Sequence, residues 1–386
     1  MLTSDFDYNL PKQLIAQIPL EPRDSSRLMV VDKKTKKIEH KNFYDIVNYF
    51  KKGDLLVWNN TKVFKARLRG TLVLDEKVVE VKKGTSSGKI LNTGPVEIFL
   101  VKPMENNKVW KVLAKPGRKL RLGMKIVFAQ DFSAEVILKE NDGTFLIQFA
   151  EDDMSVRAKA NKYGFVPLPP YIKSESVIPT EVEESLSSGV RDLSATLEMT
   201  NELSERYQTV YAKEEGSVAA PTAGFHFTPE LIEKLKTQGV EFAEVTLHVG
   251  LGTFLPVKTK TLEEHYMHSE WVELTSKNRD LINSAKAEGR RVVAVGTTTV
   301  RALEGVARLY GGALKPYAGD INIFIIPGFE FKIVDTLITN FHLPKSTLLM
   351  LVSAFAGDTK FVLECYKKAV EEKYRFFSFG DAMLIK

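Results

Sequence analysis

The sequence predicts an α/β protein, with a layered α/β main domain and a small β-barrel domain inserted into it. Two observations carry this prediction. In the second half of the chain, strand and helix patterns alternate, which is typical of a layered α/β sheet. Between residues 63 and 149 there are only short strand patterns separated by turns, which favours a small barrel. We therefore assign residues 1–61 and 155–386 to the α/β domain and residues 62–154 to the barrel.

Composition excludes several classes of protein. The chain has 386 residues, of which 44% are hydrophobic, enough to form sizeable cores and to exclude wholesale disorder. Its one cysteine, Cys365, allows neither an internal disulfide nor a zinc site built from cysteines. The longest apolar run, residues 348–356 with Ser353 inside it, is far shorter than the roughly 20 residues of a membrane span. Because the first ten residues also lack the apolar segment of a signal peptide, we expect a cytoplasmic protein without membrane contacts.

The N-terminal segment predicts a hairpin, a short helix and a strand. Leu28–Val31 is an apolar run typical of a buried strand, and Ile38–Phe43 follows it across a basic turn as its partner. Apolar residues at 44, 47 and 50 indicate a short helix that ends at Gly53. Leu55–Trp58 is then a second buried strand.

Within the predicted barrel, the turn pair Asp142-Gly143 joins two apolar runs, Ala134–Lys139 and Thr144–Phe149, as a hairpin. Residues 106–130 of the same region contain seven positive charges and no acid. These charges can form one basic face for the phosphates of a nucleic acid, with Trp110 as a stacking partner. The alternative is a solvated strand edge protected by lysines. The candidate nucleic-acid contacts are Lys62, Arg67, Arg69, Lys111, Arg118 and Arg121.

Residues 173–205 differ in composition from the rest of the chain. They contain no aromatic residue, eight acids and two basic residues, which predicts a flexible surface insertion. Their net charge is −6, so the remaining residues carry +11 against +5 for the whole chain. A basic remainder of this kind suits a nucleic-acid partner.

The C-terminal part supplies the α/β pattern. Thr228 caps a helix with Pro229 at its first position, and Gly239 ends it. Strand patterns follow at 242–249 and 292–295, and the latter leads into a helix over 300–309. Apolar residues of 361–370 recur with helical spacing and include Cys365 as core filler.

Two segments rich in small residues are candidate ligand sites. Ser217–Thr228 precedes a helix, where small residues allow close backbone approach and a helix N-terminus favours an anion. The alternative is a tightly packed turn. His248–Phe254 follows a strand, and ligands of α/β sheets bind beyond the carboxyl ends of strands. Its Gly-x-Gly lacks the third glycine of a dinucleotide site, which disfavours a nicotinamide enzyme and leaves a structural turn as the alternative.

Two further segments follow strands. Gly296–Arg301 offers hydroxyls and free backbone N–H groups for a carboxylate or a sugar hydroxyl, although an ion pair of Arg301 with Glu304 is its alternative interpretation. It is not a Walker A loop. In Thr339–Pro344, Asn340 and His342 can orient a reacting group, or simply cap a loop. The pair His265 and His268 follows two acids, Glu263 and Glu264, but a metal site would need further ligands from elsewhere in the fold. We therefore predict a solvated surface turn and no metal site.

Long sequence blocks in a fixed order give a more specific indication. The chain resembles the S-adenosylmethionine:tRNA ribosyltransferase-isomerase family of queuosine biosynthesis. The matching blocks are Phe6–Pro11, Leu20–Val30, Trp58–Gly70, Tyr163–Ile172, Arg206–Ala212, Gly216–Thr228, Leu247–Phe254, Gly296–Glu304 and Thr339–Phe355. Residues of about 71–95 and 173–205 depart from the family pattern and look like insertions.

The resemblance implies an α/β domain with an inserted β-barrel and a specific reaction. The ribosyl part of S-adenosylmethionine is transferred, with isomerisation, to 7-aminomethyl-7-deazaguanine at the wobble position of a tRNA, giving epoxyqueuosine and releasing adenine and methionine. The expected partners are S-adenosylmethionine and a tRNA with a GUN-type anticodon. No cofactor is expected beyond S-adenosylmethionine, which is the ribosyl donor, and the protein is expected to be a monomer.

This chemistry needs a base, a proton or hydrogen bond for departing adenine, and a water-poor pocket. Neutral histidine suits such proton transfers near pH 7. We therefore expect His226, His248 and His342 to face one pocket and at least one of them to be the acid/base. The expected substrate-binding residues are Thr222, Gly224, Gly250, Gly252, Thr253, Gly296, Thr297, Thr298, Arg301 and Asn340.

Without the resemblance, two other classes fit the residues: a small-molecule α/β transferase first, and an RNA-binding barrel protein without catalysis second. Release of adenine from S-adenosylmethionine separates a transferase from a binding module.

Overall fold

The structure, a computed structural model, describes residues 1–73, 92–169, 171–172, 205–250, 257, 259–267 and 269–386. Most of the predicted insertions (residues 74–91 and 173–204) therefore lie outside the described residues. The chain forms two compact units. The first comprises Met1–Lys62 and Leu168–Lys386, and the second Val63–Pro167.

Seventeen strands are present in the described residues. They are β1 (Arg27–Val31), β2 (Ile38–Asn42), β3 (Leu55–Asn59), β4 (Thr61–Val63), β5 (Arg67–Val73), β6 (Asn92–Pro103), β7 (Val109–Lys115), β8 (Lys125–Ala129), β9 (Phe132–Lys139), β10 (Phe145–Phe149), β11 (Glu214–Ser217), β12 (Glu241–His248), β13 (Glu270–Leu274), β14 (Val292–Val295), β15 (Tyr317–Ile321), β16 (Thr336–Asn340) and β17 (Ala382–Ile385).

Six α-helices are present in the same residues. They are α1 (Asp153–Tyr163), α2 (Pro229–Thr237), α3 (Ser276–Ala287), α4 (Thr297–Leu309), α5 (Thr347–Ala356) and α6 (Thr359–Glu371). Side-chain caps begin five of them, and the sequence predicted the one at Thr228. The Thr228 hydroxyl accepts a hydrogen bond from Leu231 N at 3.1 Å at the start of α2.

The first unit contains a nine-stranded mixed sheet in the order β15-β13-β12-β3-β14-β16-β17-β1-β2. The central strands β12, β3, β14 and β16 are parallel to their neighbours within that group. The predicted hairpin is present as antiparallel β1 and β2, and β17 pairs in parallel with β1. Residues 43–49 form a 3₁₀ helix where the sequence predicted a short helix.

Both faces of this sheet are buried, because alternate residues of each strand point to opposite sides. On one side Leu55, Val57 and Ala294 pack against α3 to α6. On the other side Leu56 and Val293 pack against α2 and the 3₁₀ helix. The predicted layered α/β architecture is thus confirmed. Cys365 of α6 lies in the first core, where burial raises the pKa of its thiol to about 12.

The second unit is a closed six-stranded antiparallel barrel in the order β10-β7-β6-β5-β8-β9, which confirms the predicted barrel. The predicted hairpin corresponds to β9 and β10. This unit extends to Pro167, beyond the predicted boundary at 154. The reason is that α1 packs on the barrel: the Asn161 side chain accepts a hydrogen bond from Lys65 N at 3.0 Å, and Phe165 bridges to Arg67.

Among the described residues, no helix has the length and apolarity needed to cross a membrane.

Candidate active site

A cavity of about 520 Å³, its open mouth included, lies at the carboxyl ends of the parallel strands. Val249 follows β12, Gly296 follows β14, and Asn340 ends β16, and all three line this main cavity. Carboxyl ends of parallel strands meet at one edge of a sheet, where ligands of α/β proteins bind. The cavity also contains Thr222, Thr297, Thr298 and His342, so it brings together six of the predicted site residues.

One wall of the main cavity is the N-terminus of α4. Gly296 has φ +86°, a conformation that favours glycine, and it provides no side-chain cap. The first N–H groups of a helix have no partner within it and carry a partial positive charge. Within the part of the chain that the structure describes, the buried Thr298 hydroxyl has no hydrogen-bond partner, whereas the neighbouring Thr299 hydroxyl donates to Val295 O at 2.6 Å. This wall therefore offers donors to an anionic or polar group.

Asn340 presents a second unpartnered group. Its Nδ2 donates to Phe377 O at 2.9 Å, which fixes the orientation of the amide and leaves the buried Oδ1 without a partner. Phe377 has φ +74°, which is strained for an aromatic residue and is a feature found at functional sites. Phe377 and Ser378 both line the cavity, yet our sequence reasoning missed them. The segment FFSFGD, with its small residues among aromatic ones, was the available signal.

His342 is buried in the wall of the main cavity. Its Nε2 lies 3.4 Å from the Thr339 hydroxyl and its Nδ1 lies 3.3 Å from the Tyr366 hydroxyl. Burial lowers the pKa of His342 to about 3. The imidazole is therefore neutral at pH 7, with one N–H donor and one lone pair.

His226 lies in a smaller, second cavity of about 300 Å³, which shares Ser378 with the main cavity. Its Nδ1 lies 2.7 Å from the Ser26 hydroxyl, and its ring stacks on Phe43 at 4.9 Å. Its Nε2 is buried without a hydrogen-bond partner. Burial lowers the pKa of His226 to about 3, and the Asn340 amide opposes this shift, which indicates that the two side chains are close.

The three histidines do not face one cavity in the described residues, and the expectation for His248 needs correction. Its Nδ1 lies 2.8 Å from the Thr61 hydroxyl, its ring stacks on Trp271, and it closely covers Gly216. It lines neither cavity. The physical reason is the alternation of extended chain: Val249 faces the main cavity, so the side chain before it points away.

Arg301 also points away from both cavities. It forms a buried ion pair with Glu270, whose other oxygen accepts a long hydrogen bond (3.4 Å) from Gly250 N. The alternative pairing with Glu304 is wrong. The Glu304 carboxylate instead accepts three backbone N–H bonds, from Lys332, Ile333 and Val334, at 2.9–3.0 Å.

The predicted glycines and Thr253 have different outcomes. A Cβ at Gly224 would lie 2.0 Å from the Tyr211 hydroxyl, so this glycine allows close packing of the turn rather than lining the cavity. Gly250 is described, and its N–H is directed to Glu270. Gly252 and Thr253 lie outside the described residues.

The basic residues of the barrel differ in their exposure and in their ion pairs, although the local sequence contains no acid. Lys111 forms ion pairs with Glu140 and Asp142, both at 2.8 Å, because β10 brings the acids of the hairpin beside β7. Trp110 is fully buried, so the expectation that it stacks on bases is wrong. Arg118 and Arg121 are exposed, as is Lys62 of the first unit.

Two further basic candidates, Arg67 and Arg69, have partners within the second unit. Arg67 pairs with Glu97 at 2.6 Å, and the exposed Arg69 lies over the Phe165 ring at 4.9 Å. Arg118 and Arg121 are therefore the stronger candidates for phosphate contacts in the barrel.

A cavity lined by polar groups at the carboxyl edge of a mostly parallel sheet defines a small-molecule-binding α/β enzyme. Residues 3–385 match the model of a family described as queuosine biosynthesis protein. The chain belongs to this family, that of the S-adenosylmethionine:tRNA ribosyltransferase-isomerases, which confirms the resemblance read from the motifs.

Individual relatives agree over the full length. The S-adenosylmethionine:tRNA ribosyltransferase-isomerase of Thermotoga petrophila is 50% identical over 386 residues, with 100% of both chains covered. That of Acetivibrio thermocellus is 49% identical over 387 residues, again with 100% of both chains covered. The crystal structure of S-adenosylmethionine tRNA ribosyltransferase from Thermotoga maritima is 39% identical, with a TM-score of 0.52, and the match covers 99% of this chain and 100% of that one.

Proposed function

We propose that this chain transfers and isomerises the ribosyl moiety of S-adenosylmethionine onto 7-aminomethyl-7-deazaguanine in tRNA. The products are epoxyqueuosine in tRNA, adenine and methionine. The observation that carries the proposal is the main cavity, in which the N-terminus of α4 lies close to neutral, buried polar groups.

In this proposal the α4 wall binds the methionine end of the substrate. The methionine carboxylate is an anion, and helix N-termini bind anions through free N–H groups and the helix dipole. Thr298 supplies a further donor, because its hydroxyl is buried in this wall without a partner. Thr222 and Thr297 of the same cavity are the proposed contacts for the neighbouring ribose.

The sulfonium of S-adenosylmethionine makes methionine a good leaving group and acidifies the adjacent ribose carbon. A base and a water-poor site then suffice, so the proposal includes no metal or redox cofactor. We assign the acid/base role to His342, because it is the histidine that lines the main cavity. Its Tyr366 and Thr339 contacts hold the ring in place.

The proposal also includes the partners and the location of the protein. The tRNA carries a GUN-type anticodon, and Arg118 and Arg121 contact its phosphates. The protein is a monomer that acts in the cytoplasm, where tRNA and S-adenosylmethionine are both present.

Incubation of the purified protein with S-adenosylmethionine and precursor tRNA tests the function. We expect stoichiometric release of adenine and methionine, and a corresponding mass gain of the modified nucleoside. The His342→Gln variant should lose most turnover, whereas His265→Gln, altered at a histidine that packs on Phe324 outside both cavities, should keep it. Absence of adenine release by the folded wild type would refute the proposed function, and full turnover of His342→Gln would refute the assignment of the base.

A further inference from the structure

Two buried polar atoms without a hydrogen-bond partner among the described residues belong to residues in the walls of the two cavities. His226 lines the second cavity and Asn340 lines the main one, and Ser378 belongs to the walls of both. Among the described residues, neither His226 Nε2 nor Asn340 Oδ1 has a partner within normal hydrogen-bond distance, and both residues are only 3% exposed. The pKa of His226 responds to the Asn340 side chain, so the two groups lie close to each other. Buried polar groups without partners are uncommon, and a ligand is one explanation for them.

The contacts around the pair define which atom donates and which accepts. The Asn340 Nδ2 donates to a carbonyl, Phe377 O, so the free atom is the acceptor Oδ1. The Ser26 hydroxyl lies 2.7 Å from His226 Nδ1. When that hydroxyl donates, Nδ1 accepts the hydrogen bond through its lone pair, and the proton of the neutral ring is on Nε2. The pair therefore presents one N–H donor beside one C=O acceptor.

This pattern is complementary to one edge of adenine. N7 of adenine accepts a hydrogen bond and its 6-amino group donates one, and asparagine commonly reads this edge. Aromatic rings for stacking are also present, since Phe225 and Phe379 form part of the second cavity. We infer that His226 and Asn340 recognise the adenine of S-adenosylmethionine, with Nε2–H donating to N7 and Oδ1 accepting from the 6-amino group.

The inference rests on the proposed function and adds a role for His226 in it. When the bond between C1′ of the ribose and N9 breaks, its electron pair passes to the adenine ring. A hydrogen bond at N7, in the same five-membered ring, stabilises that developing charge. The proton that completes neutral adenine is the one that the attacking amine loses as it becomes a secondary amine. His226 thus donates a hydrogen bond, and Ser26 is a positioning residue that fixes its tautomer.

An analogue of S-adenosylmethionine with C–H in place of N7 tests this assignment. For the wild type, we expect this change to raise the Kd of the substrate, measured by calorimetry, about tenfold, the effect of losing one hydrogen bond. Binding is the quantity to measure, because loss of N7 also makes the base a poorer leaving group in any protein. In His226→Phe, whose ring can still stack on Phe43, the natural substrate and the analogue should differ by less than about twofold. An equal cost in both proteins, or no cost in the wild type, would overturn the inference.

Ser26→Ala provides a milder variant, with Ser25→Ala as its matched control. The Ser25 hydroxyl donates to Pro22 O within its own turn. We expect Ser26→Ala to reduce the discrimination between substrate and analogue, measured also as Kd by calorimetry, and Ser25→Ala to keep it. Unchanged discrimination in folded Ser26→Ala would contradict the tautomer assignment and overturn the inference.

The acceptor is tested with an analogue that has oxygen in place of the 6-amino group. In the wild type this oxygen faces Asn340 Oδ1, so we expect at least tenfold weaker binding. In Asn340→Ala, the affinities for the natural substrate and for the analogue should differ less than in the wild type. If they differ as much as in the wild type, the role of Asn340 is overturned. If the wild type released no adenine from the natural substrate, the proposed function itself would fail, whereas failure of the inference alone leaves that release intact.

Discussion

Replacement of Thr298 by valine is expected to change stability and substrate affinity in opposite directions. Thr298 is 6% exposed, and its buried hydroxyl has no hydrogen-bond partner among the described residues. Valine has nearly the same shape and a similar helix propensity, so the substitution removes mainly the hydroxyl. If the hydroxyl destabilises the free protein but strengthens substrate binding, its hydrogen-bond partner is the ligand.

The two magnitudes follow from the same atom. An unsatisfied buried hydroxyl costs about 1 kcal/mol or more, so Thr298→Val should raise the free energy of unfolding by about 1 kcal/mol. A hydrogen bond to a charged group contributes about 1.5–3 kcal/mol, so loss of the donor to the methionine carboxylate should weaken binding by roughly tenfold to hundredfold.

Thr299→Val is the matched control. The Thr299 hydroxyl is fully buried but donates to Val295 O at 2.6 Å, so its loss should destabilise the protein by about 1 kcal/mol. Its effect on affinity should be less than about twofold. Urea unfolding measures the first quantity, and calorimetric titration with S-adenosylmethionine measures the second.

The reasoning is refuted if Thr298→Val lowers the free energy of unfolding and leaves the Kd for S-adenosylmethionine unchanged. That result would mean that the hydroxyl stabilises the fold rather than a bound substrate.

Three further predictions concern pH, tRNA binding and stability. Because burial lowers the pKa of His226 and of His342 to about 3, the unfolded chain binds protons first as pH falls below about 6.5. The free energy of unfolding should then fall by up to about 1.4 kcal/mol per pH unit for each of these two histidines. Denaturant titrations at pH 7, 6 and 5 measure this slope, which should be smaller in a His226→Phe variant. Arg118→Glu combined with Arg121→Glu should raise KM for tRNA and flatten its dependence on salt, and an unchanged salt slope would place the RNA contacts elsewhere. Glu304→Gln should destabilise the fold by about 2 kcal/mol, because an NH₂ group then faces backbone N–H donors. The KM for S-adenosylmethionine should not change. Urea unfolding measures the stability, and steady-state kinetics measure the KM.

The parts of the fold with local signals were predictable from the sequence. The N-cap Thr228 with Pro229 after it, and Gly239 at the end, identified α2, and the turn pair Asp142-Gly143 identified the β9–β10 hairpin. Gly, Thr, Asn or His residues directly after predicted strands identified the segments at the carboxyl edge. This works because parallel strands all end at the same edge of the sheet. Gly296 and Asn340 were found in this way.

Features that depend on distant partners were not predictable. Lys111 belongs to a run without acids, but a neighbouring strand supplies Glu140 and Asp142. Trp110 alternates into the barrel interior, and His248 points to the opposite side from Val249. A one-residue difference in strand phase decides each of the last two cases, and composition carries no information about it.

The position of β17 links completion of the fold to completion of the active site. Leu28 of β1 pairs with Ala382 of β17, and β17 also pairs with β16, so the middle of the sheet closes only when this late strand inserts between them. The residues just before it, Phe377 and Ser378, are the wall where the two cavities meet. During synthesis, therefore, a nascent chain that has not yet exposed β17 has neither a continuous sheet nor a closed substrate site. Such pairing between distant segments slows folding, so the sheet and the wall shared by the two cavities are expected to form late and together.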